Sequence, residues 1–512
     1  MNYADLFRVT LPETILEIAA VVVLIVDLAF LRKSAQQLRT TSAAFFGIIG
    51  CAAAAWYLPL GVGNLNGPDG LALLSTGGAA ACAQIAILAL TGLCLALLVE
   101  TLFTRHVGEF VAVMLMSAAG GLIIAAAQDL IIIFIGLELL SLGLYILTAF
   151  AKKSAKSAEA AIKYYLFGAM SAAFLLFGFS YLYGLTGSTN LQRIAQHSYF
   201  QSYFGAAALL DVALVMVAAG LGFKIAAVPF QLWAPDTYEG APAPAAAFVA
   251  SVSKVASFAL LISVGTAALH VSGHYAIGQQ ITADVPEVSA RHFGMNGPWW
   301  LLLAVLSVAS MIVGNLAALA QSSVRRLVAY SAVAHAGYVL LGLAFFSYSA
   351  LSARAVLYYI LTYGLTTIGA FGVVAVVERA TGSDRMDSFL SLHKRNPVLA
   401  AVLLVFFLSL AGIPPLVGFW AKFNLFAAVL AVGAGPVPFA LVALAVAFSA
   451  VSLYYYLQVL KRAYVMPGPD ESPIRAHPVT MIVLVFIAVA VVVLGCFPSL
   501  LGDWIASFYS LG

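Results

Sequence analysis

Residues 220–261 read GLGFKIAAVPFQLWAPDTYEGAPAPAAAFVASVSKVASFALL. Lys224 and Lys254 lie in stretches that are otherwise apolar, and Pro229 and Pro235 stand between them. An ionised residue at mid-membrane costs about 2.5 to 3.5 kcal/mol, and proline removes a backbone hydrogen bond that hydrocarbon cannot replace. The stretch therefore predicts a membrane segment in which interrupted helices and buried lysines serve a function.

The rest of the chain agrees with a membrane location. Of its 512 residues, 63% are hydrophobic and 9% are charged, which excludes a water-soluble protein. A helix that crosses a bilayer needs about 20 mostly apolar residues. Such runs predict an all-α integral membrane protein with about fourteen transmembrane helices. Their centres lie near Ala20, Ala52, Leu90, Met116, Leu140, Leu175, Val217, Ala259, Val308, Ala334, Thr366, Leu410, Ala450 and Ala488.

Two five-helix segments of the chain resemble each other. Gln128 pairs with Gln321, and further on Lys224 pairs with Lys422. Because five is an odd number, successive copies enter the membrane from opposite faces and form inverted repeats. The predicted units are residues 1–104 with helices one to three, 105–272 with helices four to eight, 273–466 with helices nine to thirteen, and 467–512 with helix fourteen.

Both repeats are predicted to contain a broken helix beside a lysine. Helix-breaking residues surround Lys224 and precede Lys422: Gly220, Gly222, Pro229 and Pro235 in the first repeat, and Gly412, Pro414, Pro415 and Gly418 in the second. Backbone carbonyls freed at this depth must be satisfied by other helices or by water. The two readings are a hydrated cavity for proton exchange and a packing kink without function.

Basic residues predict the orientation of the helices. Sixteen lysines and arginines fall in loops after odd-numbered helices, whereas the amino terminus and the other loops hold four. The positive-inside rule therefore predicts both termini outside the cytoplasm. The remaining four of the 24 basic residues are all lysines inside apolar runs: Lys163, Lys224, Lys254 and Lys422.

Lysine is suited to carrying protons in such surroundings. A guanidinium stays charged at any accessible pH, whereas a buried ammonium can release its proton and take it back. The alternative is that each amine reaches an interface or neutralises a buried carboxylate. That alternative applies most to Lys163, which lies close to the start of its predicted helix.

A glutamate in the apolar interior needs a partner. Glu138 lies in the middle of IIIFIGLELLSLGLYIL, where an unpaired carboxylate is costly. Lys163 and Lys224 are its predicted partners. Five other acidic residues lie at predicted helix ends or in loops, where caps and solvated charges are the ordinary explanation: Glu100, Glu109, Asp129, Asp236 and Glu239.

One histidine could relay protons between the lysines. His335 lies one helical turn from Ser331, which takes the place of Glu138 in the second repeat. Histidine titrates near neutrality. It is equally compatible with a hydrogen-bonded filler that Ser331 or Tyr338 could satisfy.

No redox cofactor is expected in this chain. The four cysteines stand singly in apolar runs without a CxxC motif, so the sequence predicts neither an iron-sulfur cluster nor a disulfide framework. Gly220-x-Gly222 lies in a predicted membrane helix, not in the strand-turn-helix of a dinucleotide site.

The stretch from Gly220 to Leu261 resembles the antiporter-like membrane subunits of proton-pumping NADH-quinone oxidoreductase, respiratory complex I, and among them the subunit N (subunit 2) group. RRLVAYSAVAHAGYVLLG from Arg325, LSLAGIPPLVGFWAKF from Leu408 and EAAIKYYLFGAMSA from Glu159 are similar to the same family. The resemblance implies a fourteen-helix fold in which Glu138, Lys224, Lys254 and Lys422 are proton-path residues. One departure is Gln231, where the family usually has histidine.

The same resemblance implies a subunit of a translocase in the bacterial cytoplasmic (inner) membrane. Its expected partners are subunit M, small membrane subunits, peripheral subunits and the lipid bilayer, without nucleic acid. Flavin, iron-sulfur clusters and quinone are expected in those partner subunits, and no cofactor or metal in this chain. Three alternatives remain: a subunit of a cation/proton antiporter, a subunit of a ferredoxin- or hydrogenase-linked complex, and a scaffold whose buried charges hold helices together.

Overall fold

The computed structural model describes residues 3–60, 63–67, 70–195, 197, 207–271, 298–346, 350–432, 435–469 and 471–510. These residues are predominantly helical, as predicted. A short antiparallel hairpin of β1 (Asn64–Asn66) and β2 (Ala72–Ser75) was not predicted.

The first part of the chain contains α1 (Tyr3–Val9), α2 (Leu11–Ile25), α3 (Gln36–Tyr57) and α4 (Gly78–Leu97). A π-helical turn, Val26–Phe30, extends α2 without a gap. Short 3-10 turns occupy Leu58–Leu60, Leu98–Glu100 and Met386–Phe389.

The first predicted repeat contains α5 (Val107–Ala126), α6 (Leu130–Thr148), α7 (Ala155–Thr186), α8 (Ala207–Ile225), α9 (Trp233–Gly240), α10 (Ala243–Ala250) and α11 (Val252–Val271). The second contains α12 (Pro298–Leu319), α13 (Val324–Ala344), α14 (Ala350–Thr381), α15 (Leu392–Arg395), α16 (Pro397–Ala411), α17 (Val417–Leu430) and α18 (Pro436–Tyr464). The chain continues with α19 (Pro478–Cys496) and α20 (Pro498–Ser510).

Each of the fourteen predicted centres lies within a helix. Across the described residues, twelve helices are long and apolar enough to cross a membrane. The other two centres lie in α2, which its π-helical turn lengthens, and in the interrupted pair α16 and α17. The all-α membrane fold is therefore confirmed, whereas fourteen spans, their orientation and the unit boundaries stay predictions.

The two predicted repeats share their order of helices. The third helix of each, α7 and α14, is 32 residues long, and the fourth is interrupted. The first interruption separates α8 from α9 and contains Ala226 in the left-handed region, at φ 58°. The second begins at Gly412, whose φ of 87° suits glycine because it has no Cβ. Both interruptions were predicted from their glycines and prolines.

A third interruption was not predicted. Ser251 separates α10 from α11, and its hydroxyl donates to the carbonyl of Ala247 at 2.6 Å. A serine that binds its own backbone in this way competes with the regular helix. The surrounding sequence has neither glycine nor proline to reveal the break. Lys254 consequently lies in the first turn of α11.

Candidate functional site

Lys224 lies in the last turn of α8 and is 6% exposed. Its Nζ donates to Ser141 Oγ on α6 at 2.5 Å. Glu138, one turn before Ser141, is close enough to interact electrostatically with Lys224, but these two residues form no direct ion pair. The serine hydroxyl is therefore the direct partner of the lysine, and the predicted pairing with Glu138 acts over a longer distance.

The partners of Lys254 among the described residues are main-chain carbonyl groups. Its Nζ, in a side chain that is 3% exposed, donates to the oxygen of Ile225 at 2.8 Å and to that of Ala332 at 3.3 Å. Ile225 is the last residue of α8, so its carbonyl has no partner within its own helix. The first interruption thus supplies an acceptor for a lysine of a neighbouring helix.

Lys422 has a similar environment at the second interruption. Its Nζ donates to the oxygen of Ala411 and to Ser449 Oγ, both at 2.8 Å. Ala411 is the last residue of α16, so this carbonyl is also freed by a break. The ammonium lies 5.3 Å from the ring centroid of Tyr338. Among the residues that the structure describes, one freed carbonyl and one hydroxyl hold this lysine, and no carboxylate pairs with it.

The two interruptions are not equivalent with respect to their lysines. Lys224 precedes its break, at the end of α8, whereas Lys422 follows its break, in α17. The pairing of these two residues by sequence offset therefore does not correspond to one position relative to the break. The sequence offset could not show on which side of its break each lysine lies, because α8 and α9 differ in length from α16 and α17.

One face of α13 connects Lys254 with Lys422. Ala332 binds Lys254 through its carbonyl, Tyr338 contacts Lys422 through its ring, and His335 stands between them. Residues three apart share a helix face. His335 also lies within electrostatic range of both lysines. The structure thus brings together the histidine and the two lysines.

Neither predicted partner of His335 binds it. Its Nδ1 is 2.6 Å from Tyr359 Oη, whereas Ser331 bonds to Tyr456 Oη and Tyr338 contacts the imidazole only by its ring, at 5.8 Å between centroids. Its Nε2 is buried without a protein partner. A buried polar atom of this kind costs about 1 to 3 kcal/mol unless water or another group serves it. The relay and the filler both stay predictions for His335.

Tyr359→Phe tests the anchoring of His335. On the predicted relay role of His335, we expect proton transport to fall roughly 2- to 10-fold, because one net hydrogen bond is worth about 0.5 to 1.5 kcal/mol. Acidification by inverted membrane vesicles measures it. Tyr464→Phe is the control, since Tyr464 stacks on the peripheral His393. Equal pumping by both variants would contradict the anchoring role.

Lys163 does not belong to the buried group. Its side chain is 40% exposed and pairs with Glu159 at 2.7 Å and with Asp236 at 2.8 Å. It is therefore not the partner of Glu138. The alternative reading, an amine at an interface beside carboxylates, describes it.

The acidic residues at helix ends differ in their roles. Asp129 caps α6 by accepting from the backbone N–H of Ile131 at 2.9 Å, as predicted. Glu109 pairs with His106 at 3.0 Å. Glu100 is not a solvated charge: it is 1% exposed and its Oε1 lies 2.9 Å from Arg379 Nη2, because α14 and α19 cover the end of α4.

A buried ion pair in the amino-terminal helices was missed. Asp27, in the π-helical turn after α2, accepts both guanidinium hydrogen bonds of Arg39 at 2.6 Å and the backbone N–H of Gly108 at 3.2 Å. An aspartate inside the first apolar run could have signalled it. The pair joins the first two long helices to α5.

The chain is similar in sequence to proteins of a known membrane family. The family model described as NADH:quinone oxidoreductase/Mrp antiporter, TM, matches residues 127–283 and 287–449, more than half of the chain. NADH-quinone oxidoreductase subunit N 2 of Acidobacterium capsulatum is 45% identical over 516 residues, which cover 99% of each chain. The chain belongs to the subunit N family of NADH-quinone oxidoreductase. The resemblance inferred from the sequence is therefore confirmed.

Solved structures show the same fold as this subunit N family member. A chain of respiratory complex I from Thermus thermophilus with bound aureothin is 31% identical, with a TM-score of 0.75 over 96% of this chain and 98% of that one. A chain of the Mrp complex from Dietzia sp. is 22% identical, with a TM-score of 0.78 over 98% of this chain and 51% of that one. The second likeness extends to the fold alone.

Gln231 is the position at which the resemblance leads us to expect a histidine. It is buried, and its Oε1 has no protein partner. It lies in the interruption between α8 and α9, beside the lysine site. Its side chain is an uncharged amide, which does not titrate, so residue 231 itself cannot carry a proton.

Proposed function

We propose that this chain translocates protons from the cytoplasm to the outside as a membrane subunit of NADH-quinone oxidoreductase, coupled to electron transfer from NADH to quinone in partner subunits. The observation that carries the proposal is the set of three buried lysines, Lys224, Lys254 and Lys422. Within the described part of the chain, each is bound directly by hydroxyl or carbonyl oxygens only.

Neutral acceptors suit a group that changes charge. A lysine paired directly with a carboxylate would leave a buried negative charge behind whenever it released its proton, which is strongly unfavourable. Main-chain carbonyls and serine hydroxyls bear no net charge in either state. Lys254 and Lys422 can therefore lose and regain protons without creating an unpaired carboxylate.

The geometry supports an order of transfer. Lys254 receives a proton from the cytoplasmic side, His335 passes it along α13, and Lys422 releases it outward. Lys224 lies one residue before Ile225, whose carbonyl binds Lys254. Together with Glu138, it adjusts the proton affinity of Lys254 through charge and through the position of that carbonyl.

Energy for the transfer comes from partner subunits. Flavin, iron-sulfur clusters and quinone belong there, and the chain lies beside subunit M and small membrane subunits in the bacterial inner membrane. This placement rests on the family. A cation/proton antiporter subunit would use the same fold with an ion gradient as its energy source.

Lys224→Ala tests the proposal. We expect pumping by vesicles that contain the assembled complex to fall by roughly tenfold or more, because Lys254 then loses the neighbouring charge that adjusts its proton affinity, and each pKa unit of affinity is a factor of about ten. NADH oxidation with an artificial acceptor stays unchanged, since that reaction does not use the membrane subunits.

Lys394→Ala is the matched control. Lys394 pairs with Glu471 at 2.6 Å in a side chain that is 51% exposed, so its removal leaves the interior intact. Normal pumping by an assembled Lys224→Ala complex would overturn the proposal. Sodium-dependent proton exchange by the isolated chain would replace it with the antiporter function.

A further inference from the structure

A cluster of charges surrounds α9, the second half of the first interrupted helix. Asp236 accepts from Lys163 at 2.8 Å and from Arg326 at 2.6 Å, and Glu239 accepts from Lys156 at 2.9 Å and from Arg326 at 3.0 Å. Lysines of α7 therefore hold α9 from one side and an arginine of α13 from the other. The cluster joins the two predicted repeats.

A second arginine of α13 binds the end of α9. Arg325 is 4% exposed, and its Nη1 donates to the carbonyls of Glu239 at 3.2 Å and Ala241 at 2.7 Å, while its Nη2 binds Glu378. Cations are favoured at a helix carboxyl terminus and disfavoured in the first turn of a helix. The position of Arg325 and Arg326 in the first turn of α13 is thus explained by their contacts with α9.

The far end of α9 reaches Lys224. Trp233, its first residue, donates its indole N–H to the carbonyl of Phe223 at 2.9 Å and stacks on Tyr164 with 4.3 Å between ring centroids. Phe223 directly precedes Lys224. A displacement of α9 therefore moves the backbone that carries the lysine.

The carboxylates of the cluster remain ionised. Partial burial acts to raise the pKa of Asp236, but hydrogen bonds from Lys163 and Arg326 outweigh it and hold that pKa below its usual value. The same balance, with Lys156 and Arg326, lowers the pKa of Glu239. The contacts of both carboxylates with the cations therefore persist at neutral pH.

We propose that Arg325 and Arg326 form an arginine clamp that fixes α9 and thereby positions Lys224 against Ser141. The clamp rests on the proposed function for its effect on pumping. The clamp makes α13 the support of both α9 and the proposed relay. The same helix carries His335 nine residues after Arg326, about 13 Å along its axis. Arg325 and Arg326 are positioning residues.

Two readouts on the intact complex test the clamp. Asp236→Asn keeps the side-chain shape and removes the charge. We expect amide hydrogen exchange of residues 226–240 to rise roughly tenfold, because hydrogen bonds between charged groups are the strongest that α9 makes. Protons pumped per NADH should fall roughly 2- to 30-fold. Arg326→Gln should do the same, and the double variant should fall short of the product of the two single effects, because both single variants lose the same Asp236–Arg326 pair.

Controls separate positioning from general damage. Asp236→Glu should restore both readouts, and Glu471→Gln, which breaks an exposed ion pair away from α9, should change neither. Unchanged amide hydrogen exchange in Asp236→Asn would overturn the clamp, whatever effect the lysine variants have on pumping. Raised exchange with normal pumping would overturn the positioning of Lys224. Failure of the proposed function is seen separately, in normal pumping by Lys224→Ala.

Discussion

Lys254→Met is expected to reduce proton pumping on the order of 10²-fold, because it removes a proton-transfer group. Lys254 has contacts on both sides of the path, with the first interruption through Ile225 and with the His335 helix through Ala332. Methionine has a similar length but cannot bind a proton. The substitution therefore removes the step and retains most of the packing.

Proton pumping by this variant is measured as acidification by inverted vesicles and is normalised to NADH oxidation by an artificial acceptor. Methionine is an apolar residue that adapts to irregular cores, so the complex is expected to assemble. Lys461→Met, an exposed position in α18, is the matched control. Pumping within about twofold of wild type in an assembled Lys254→Met complex would contradict a role for Lys254 in transfer.

Lys422→Met is expected to have a similar effect, whereas Lys422→Glu should retain a measurable part of the activity. A glutamic acid can also bind and release a proton, and its protonated form could donate to the oxygen acceptors that now hold the amine, Ala411 O and Ser449 Oγ. The comparison separates loss of charge from loss of a titratable group. It is measured in the same vesicles.

Equal loss in the methionine and glutamate variants would show that the ammonium itself is required, and equal retention would show that position 422 carries no protons. Lys422→Gln is the shape control for the glutamate, because it has nearly the same size but does not titrate. We expect it to behave like Lys422→Met.

The helices and the buried lysines could be predicted from the sequence because both depend on local composition. A run of apolar residues must span the bilayer, and a lysine in such a run is either buried or near an end. Lys224, Lys254 and Lys422 are buried, whereas Lys163 is half exposed. The position of Lys163 close to the start of its helix was the correct signal.

Partners could not be predicted in the same way because they come from distant parts of the chain. Lys224 binds Ser141 and not Glu138, one turn away on the same helix, and His335 binds Tyr359 from α14. The break at Ser251 was missed because no glycine or proline marks it. Asp236 and Glu239 were treated as solvated charges, since only the packed structure brings Arg326 to them.

The most direct test of the proton path compares three variants of the purified complex in proteoliposomes: Lys254→Met, Lys422→Met and the double variant. Protons translocated per NADH are measured at matched artificial-acceptor activity. Residues that act in series on one path give the double variant the same lowered ratio as either single variant. A wild-type ratio in the double variant would contradict the account.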